Sequence, residues 1–153
     1  MAHLIEIKDV YKIYNPGENE VHALDGVSLT VDRGEFIAIV GQSGSGKSTL
    51  MNMLGLLDVC TSGSYMLDGV DVSTMKDDEL SSIRNEEIGF IFQGFNLIPS
   101  LTAQANVELP LVYRGVKAAQ RKELSTSALK RVGLEKRMNH LPNQMSGGQQ
   151  HVP

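Results

Sequence analysis

Between Gly41 and Ser48 the chain reads Gly-Gln-Ser-Gly-Ser-Gly-Lys-Ser, which fits G-x-x-x-x-G-K-[ST], the P-loop pattern. Each position has a chemical reason. Gly41, Gly44 and Gly46 carry no Cβ, so the backbone can curl and turn its N–H groups inward around an anion. A helix starting at Lys47 brings the positive end of its dipole to the same point. Lys47 is placed to reach the β- and γ-phosphates of a bound nucleotide, and the Ser48 hydroxyl to ligate Mg²⁺. The bland alternative is a Gly-rich strand-to-helix turn that binds nothing. At average residue usage the pattern arises by chance in ~1 in 200 chains of this length, and suitable flanking elements lower that further. The residues therefore read as a nucleoside-triphosphate site.

Such a loop needs a strand before it and a helix after it. Phe36–Val40 is a short apolar run that predicts a buried strand, and Leu50, Met51, Leu54 and Leu57 recur at helical spacing. Met51 and Met53 are most simply core packing. Upstream, Leu4–Tyr14 alternates loosely between apolar and polar residues, Asn15–Asn19 is a turn cluster, and Val21–Leu24 with Val27–Val31 resumes the strand pattern before Asp32-Arg33-Gly34. This predicts a small antiparallel layer leading into the loop. Downstream, Tyr65–Leu67 and Val70–Val72 flank Asp68-Gly69, a strong hairpin signal. Asp77–Arg84 reads as a charged helix and Ile88–Phe92 as a second buried strand. Gln93–Asn96 follows at that strand's C-terminal end, where ligands of open α/β sheets bind. From Thr102, a plausible N-cap, the pattern turns helical. Pro110 should kink or end the first helix. Ala118–Val132 predicts a second, with Leu124, Ala128, Leu129 and Val132 on one face and Gly133 as its stop. Met145–Gln150 begins a new element.

The chain has 153 residues, 41% hydrophobic and 21% charged, which suits one globular domain. A net charge of −4 and no basic run give no support for nucleic-acid binding. Cys60 is the only cysteine, which fits a reducing compartment. The charged start of the chain does not resemble a signal peptide, and no apolar run approaches a membrane span. The expected location is cytosolic, with any membrane role coming through a partner.

Taken together, the Gly-Gln-Ser-Gly-Ser-Gly-Lys-Ser-Thr loop, Gln93 after Ile-Gly-Phe-Ile-Phe, and Met145-Ser146-Gly147-Gly148-Gln149 resemble the ATP-binding cassette ATPases. Asn96-Leu97-Ile98-Pro99 and Asn106-Val107-Glu108-Leu109-Pro110-Leu111 narrow the resemblance to the ATP-binding subunits of macrolide-efflux, lipoprotein-release and antimicrobial-peptide export systems. It runs from about Leu4 to Gln150. The resemblance implies an α/β P-loop NTPase fold with an N-terminal antiparallel β layer and an α-helical subdomain. The divisions it implies are about 1–96 for the β layer and P-loop core, about 97–145 for the helical subdomain, and 146–153 for the start of a signature helix. It implies ATP and Mg²⁺ as ligands, with Gly41, Gln42, Ser43, Gly44, Ser45, Gly46, Lys47, Ser48 and Thr49 around the phosphates. Tyr14 matches the aromatic that stacks on adenine, although Tyr11 competes for that role. Gln93 matches the glutamine that contacts Mg²⁺ or the attacking water. Ser146, Gly147, Gly148 and Gln149 match the signature that caps the other subunit's ATP. Two such domains pack head to tail and drive a transmembrane permease, which docks on the helical subdomain at the inner face of the plasma membrane.

The family continues past the signature with an apolar strand ending in Asp-Glu and with a loop histidine, and neither follows Gln150 here. The expectation is that the C-terminal part of the cassette is missing and that this chain alone does not hydrolyse ATP at a family-like rate. The alternative function is then a non-hydrolysing, nucleotide-binding fragment, with a bare apolar sheet edge beside the loop strand. Pro153 would also sit awkwardly in the signature helix. A GTPase is disfavoured because Asn-Lys-x-Asp and Asp-x-x-Gly do not occur, and a soluble cassette of DNA repair or translation because the chain is short and acidic.

Overall fold

The antiparallel layer expected at the N-terminus forms. In the computed structural model, which describes residues 3–17 and 19–150, β1 (Ile5–Tyr14), β2 (Val21–Val31), β3 (Ser62–Leu67) and β4 (Val70–Asp71) make a four-stranded sheet in the order β2-β1-β3-β4. All its pairings are antiparallel, and Ile7 faces Leu29 on one side and Tyr65 on the other. Asp9, at a φ of 46°, interrupts the ladder. That bulge shifts the alternation by one residue, so Ile7 and Val10 are both buried instead of falling on opposite faces. The β3–β4 hairpin turns at Asp68-Gly69, whose φ values of 48° and 80° are the paired positive angles that a two-residue turn requires.

The chain divides into two units, Met1–Ile88 and Gly89–Pro153. In the first, α1 (Lys47–Leu54) and α2 (Asp77–Glu87) join the sheet. Their shared core includes Ile7, Val10, Leu24, Leu50, Met53, Leu56, Tyr65, Val72 and Leu80. Met53 is core, but Met51 is 52% exposed, so only one of the two methionines packs as expected. Helix α1 stops at Gly55, and Leu56 then adopts a left-handed φ of 56° while remaining buried. The Arg84 guanidinium of α2 donates to the Leu56 carbonyl and secures that turn. Asp77, Asp78 and Glu79 favour the N-terminus of α2 electrostatically, and Glu79 accepts from the Lys76 amide.

In the second unit, α3 (Ala103–Tyr113) and α4 (Ala118–Arg131) precede two single 3₁₀ turns, Glu135–Arg137 and Pro142–Gln144, and the short α5 (Gly147–Gln150). Thr102 caps α3, its hydroxyl oxygen accepting from the Ala105 amide at 3.2 Å. Pro110 does not end that helix, which runs on to Tyr113. Gly133, at a φ of 75°, follows the end of α4 as expected. The buried face of α4 differs from the expectation: of Leu124, Ala128, Leu129 and Val132, only Leu129 is buried. Ser125 takes the inner position instead, because its hydroxyl donates to Glu108 and accepts from Gln104, both on α3. Ala103, Leu129, Leu134 and Met145 form this unit's core.

Two expected strands do not form. Among the described residues nothing pairs with 36–40 or 88–92, and Phe36 and Val40 are 96% and 87% exposed. Apolar, β-branched composition supplies propensity, but a strand exists only as one side of a hydrogen-bonded ladder. Without a neighbour these runs remain extended loops. The expectation for Pro153 lies outside the described residues, as does the Glu18 position of the β1–β2 turn cluster. Among the described residues no helix is long and apolar enough to cross a membrane.

Candidate functional site

The loop expected to hold phosphate is built against β2. Helix α1 begins at Lys47, directly after Gly46, whose φ is 83°. A Cβ at that position would run into the Ala23 carbonyl oxygen and lie 3.1 Å from Leu24 Cδ2. The glycine is therefore required twice, once by its backbone angle and once by the close approach to β2. No side chain caps α1 and no acidic residue lies in its first turn. The N–H groups at its start and the positive end of its dipole therefore remain suited to an anion. The Lys47 ammonium lies within the loop's curl, donating to the carbonyl oxygens of Gly41, at 2.8 Å, and Gln42, and to the Ser45 hydroxyl at 3.2 Å.

A cavity of about 360 Å³ adjoins this loop, lined on one side by Ser43, Gly44 and residues 46–49 and on the other by Val21, His22 and Ala23 of β2. The donor set fits a polyphosphate: backbone amides, one lysine and the hydroxyls of Ser48 and Thr49, with no carboxylate among the lining residues. Ser48 is exposed in the first turn of α1, where a hard cation bound to phosphate oxygens would find its hydroxyl.

Tyr14 closes β1 opposite Val21, one of the residues lining the cavity. Its hydroxyl donates to Asp58 Oδ2 at 2.7 Å. The bond to Asp58 raises the phenol's pKa, as do burial and the carboxylate's charge. Lys12 Nζ lies 2.5 Å from Asp58 Oδ1, donates to the Val59 carbonyl at 2.8 Å, and sits 4.9 Å from the centroid of the Tyr14 ring. Burial pushes the Asp58 carboxyl up, but the hydrogen bonds from Lys12 and Tyr14 outweigh it and hold it below the usual range. Tyr11, the competing aromatic, packs elsewhere, with its hydroxyl over Gly26.

The first unit thus brings together Tyr14 and the loop from Gly41 to Thr49. Gln93 and the Ser146–Gln149 segment belong to the second unit, where Gln93 lies exposed in a loop. Ser146 and Gln149 form a reciprocal capping box. The Ser146 hydroxyl accepts from the Gln149 amide at 3.4 Å, and the Gln149 side chain accepts from the Ser146 amide at 3.0 Å. Gly147 opens α5 beside the Phe95 ring. Sequence reasoning passed over Val21, His22, Ala23, Lys12 and Asp58. Only the β1–β2 register could have pointed to the first three, and Asp58 and Lys12 belong to no motif.

Residues 24–152 match the family described as "ABC transporter". The chain is 54% identical over 147 residues to a macrolide export ATP-binding/permease protein of Hyphomonas neptunium, covering 96% of this chain and 23% of that protein. It is 52% identical over 150 residues to an uncharacterized ABC transporter ATP-binding protein of Thermotoga maritima, covering 98% of this chain and 64% of the relative. Among solved structures, a dimeric ATP-binding cassette in a post-hydrolysis state with ADP and Pi superposes with a TM-score of 0.86 at 46% identity, over 95% of this chain and 65% of that one. This chain therefore spans less than two thirds of the relatives it matches.

Proposed function

Since the chain belongs to the ABC transporter family and has the fold of its ATP-binding cassettes, we propose that it is the nucleotide-binding part of an export system. In this reading it couples ATP binding and hydrolysis to the movement of a macrolide, lipoprotein or peptide by a membrane permease. The observation that carries the reading is the loop from Gly41 to Ser48, packed on β2 through Gly46 and leading into an uncapped α1.

Within that reading the loop amides and Lys47 bind the phosphates, and Lys47 neutralises charge on the β- and γ-phosphoryl oxygens. Tyr14 carries the adenine ring. Mg²⁺, when bound, would be held by the Ser48 hydroxyl and would supply charge neutralisation to the phosphates. Ser146, Gly147, Gly148 and Gln149 present a capped helix start to the nucleotide of a second cassette in a head-to-tail dimer. A dimeric assembly of the solved relative supports that arrangement. The helical segment from about residue 97 to 145 docks on the permease, which places the protein in the cytoplasm against the inner membrane face.

The test is equilibrium binding of ATP and Mg²⁺ to the purified chain, alongside Lys47→Ala. Submicromolar to micromolar binding that falls at least tenfold in the variant supports the reading. Equal binding by both proteins, or none by either, refutes it. Steady-state phosphate release in the same preparations separates turnover from binding alone.

A further inference from the structure

We propose that Asp58 and Lys12 clamp the Tyr14 ring from its hydroxyl end and from one face, presenting the opposite face as a platform for the base of a bound nucleoside triphosphate. Two contacts converge on one side chain. Asp58 Oδ2 accepts the hydroxyl at 2.7 Å, and Lys12 Nζ stands 4.9 Å from the ring centroid. Lys12 and Tyr14 lie two residues apart on β1, and both side chains reach the Asp58 carboxylate.

The clamp is itself held. Asp58 Oδ1 accepts from Lys12 at 2.5 Å and from the Val59 amide at 2.8 Å, and the Lys12 side chain is only 12% exposed. A cation that buried is costly unless it is paired, and here the carboxylate, the Val59 carbonyl and the ring together satisfy it. Despite these contacts Tyr14 stays 38% exposed, so surface remains on the ring for a ligand. Lys12 takes one face, which leaves stacking to the other.

Val21 supplies the link to chemistry. It pairs with Tyr14 across the β1–β2 ladder and lines the cavity beside the phosphate loop. The sheet register therefore sets the base platform beside the phosphate cradle. An aromatic whose rotamer is already set costs less to order when the base arrives. Asp58 and Lys12 are accordingly positioning residues, acting through Tyr14.

The inference rests on the reading of Tyr14 as the stacking aromatic, and one experiment separates the two. Dissociation constants are measured for Mg-ATP and for inorganic tripolyphosphate, which carries the phosphates without the base. The proteins are the wild type, Tyr14→Ala, Tyr14→Phe and Asp58→Ala, each with its thermal unfolding midpoint. Loss of the ring should weaken ATP by about 5- to 150-fold, the equivalent of one stacked base, and leave tripolyphosphate unchanged. Tyr14→Phe and Asp58→Ala should each weaken ATP alone by about 2- to 10-fold, the cost of ordering one freed side chain. Adding Asp58→Ala to Tyr14→Ala should then change ATP binding no further. If Tyr14→Ala leaves ATP binding intact, the stacking reading itself fails. If Tyr14→Ala is impaired while Tyr14→Phe and Asp58→Ala match the wild type, stacking stands and the clamp is overturned. Equal weakening of both ligands in Asp58→Ala would also overturn it, because the residue would then support the phosphate loop rather than the ring. Should Asp58→Ala fail to fold, Tyr14→Phe alone decides between these outcomes.

Discussion

Tyr65→Phe tests how the phosphate-binding helix is anchored. The Tyr65 ring is 4% exposed, and its hydroxyl donates to the Leu54 carbonyl at 2.9 Å, tying β3 to the last turn of α1. That carbonyl is among those at a helix end with no donor inside the helix. Burial pushes the phenol's pKa up to about 12 from an ordinary 10.0. A raised pKa means that the fold favours the neutral phenol, so its contribution is complete below pH 10 and disappears as pH rises through about 12. Across that window the unfolded chain has lost a proton that the folded chain retains. Stability should therefore fall by about 1.4 kcal/mol per pH unit, or roughly 3 kcal/mol in all. At pH 8 the phenylalanine variant lacks the hydrogen bond and should be less stable by about 1 kcal/mol. At pH 12 it has nothing to ionise there, so it should be the more stable protein by about 1 kcal/mol. Urea unfolding of both proteins at pH 8, 10, 11 and 12 reads this directly. Tyr14, also raised in pKa, is common to both and cancels in the difference. Stability curves that stay parallel from pH 8 to 12 would refute the argument, because a buried phenol cannot ionise without cost.

Gly46→Ala should lower the thermal midpoint and abolish ATP-induced stabilisation. Gly44→Ala, at a similar φ of 80° but with no atom within 4 Å, should cost only the backbone strain, about 1–2 kcal/mol. Equal losses at both positions would mean that the contact with β2 has no energetic consequence. In the second unit, Ser125→Ala should cost about 1–3 kcal/mol in denaturant unfolding, since Glu108 and Gln104 lose their shared partner. Thr102→Ala should cost about 1 kcal/mol through its lost cap, and a ranking with Thr102 above Ser125 would count against the buried network.

What could be read from the sequence was what neighbouring residues decide among themselves. Asp68-Gly69 specifies its turn by backbone angle, Thr102 its cap by one side-chain oxygen, and Gly133 its stop by φ. The phosphate loop belongs only partly to this class: its motif residues lie between Gly41 and Thr49, but its seat on Ala23 and Leu24 of β2 is no part of the motif. Ser125 could not be read, because a serine on an apolar face becomes a core residue only through partners 17 and 21 positions away. Asp58 is a harder case still. It follows a helix as an ordinary loop acid, and its meaning comes from Lys12 and Tyr14, 46 and 44 residues earlier. The segments 36–40 and 88–92 show the opposite error. Their composition was read correctly as strand-like, but pairing is a property of two segments, and composition describes only one.

The same distinction explains why the phosphate loop can be well placed while the run leading into it is not in a strand. Helix α1 takes its position from two contacts with the sheet. Gly46 packs against Ala23 and Leu24 of β2 at its start, and Leu54 accepts from Tyr65 of β3 at its end. The two contacts hold opposite ends of the helix to two different strands of one hydrogen-bonded layer, so the helix has little freedom to slide relative to that layer. Residues 36–40 take no part in either of them. The reference frame for the nucleotide is therefore the antiparallel layer, and a perturbation of β2 or β3 should reach the phosphates through α1 even where no altered residue touches the ligand.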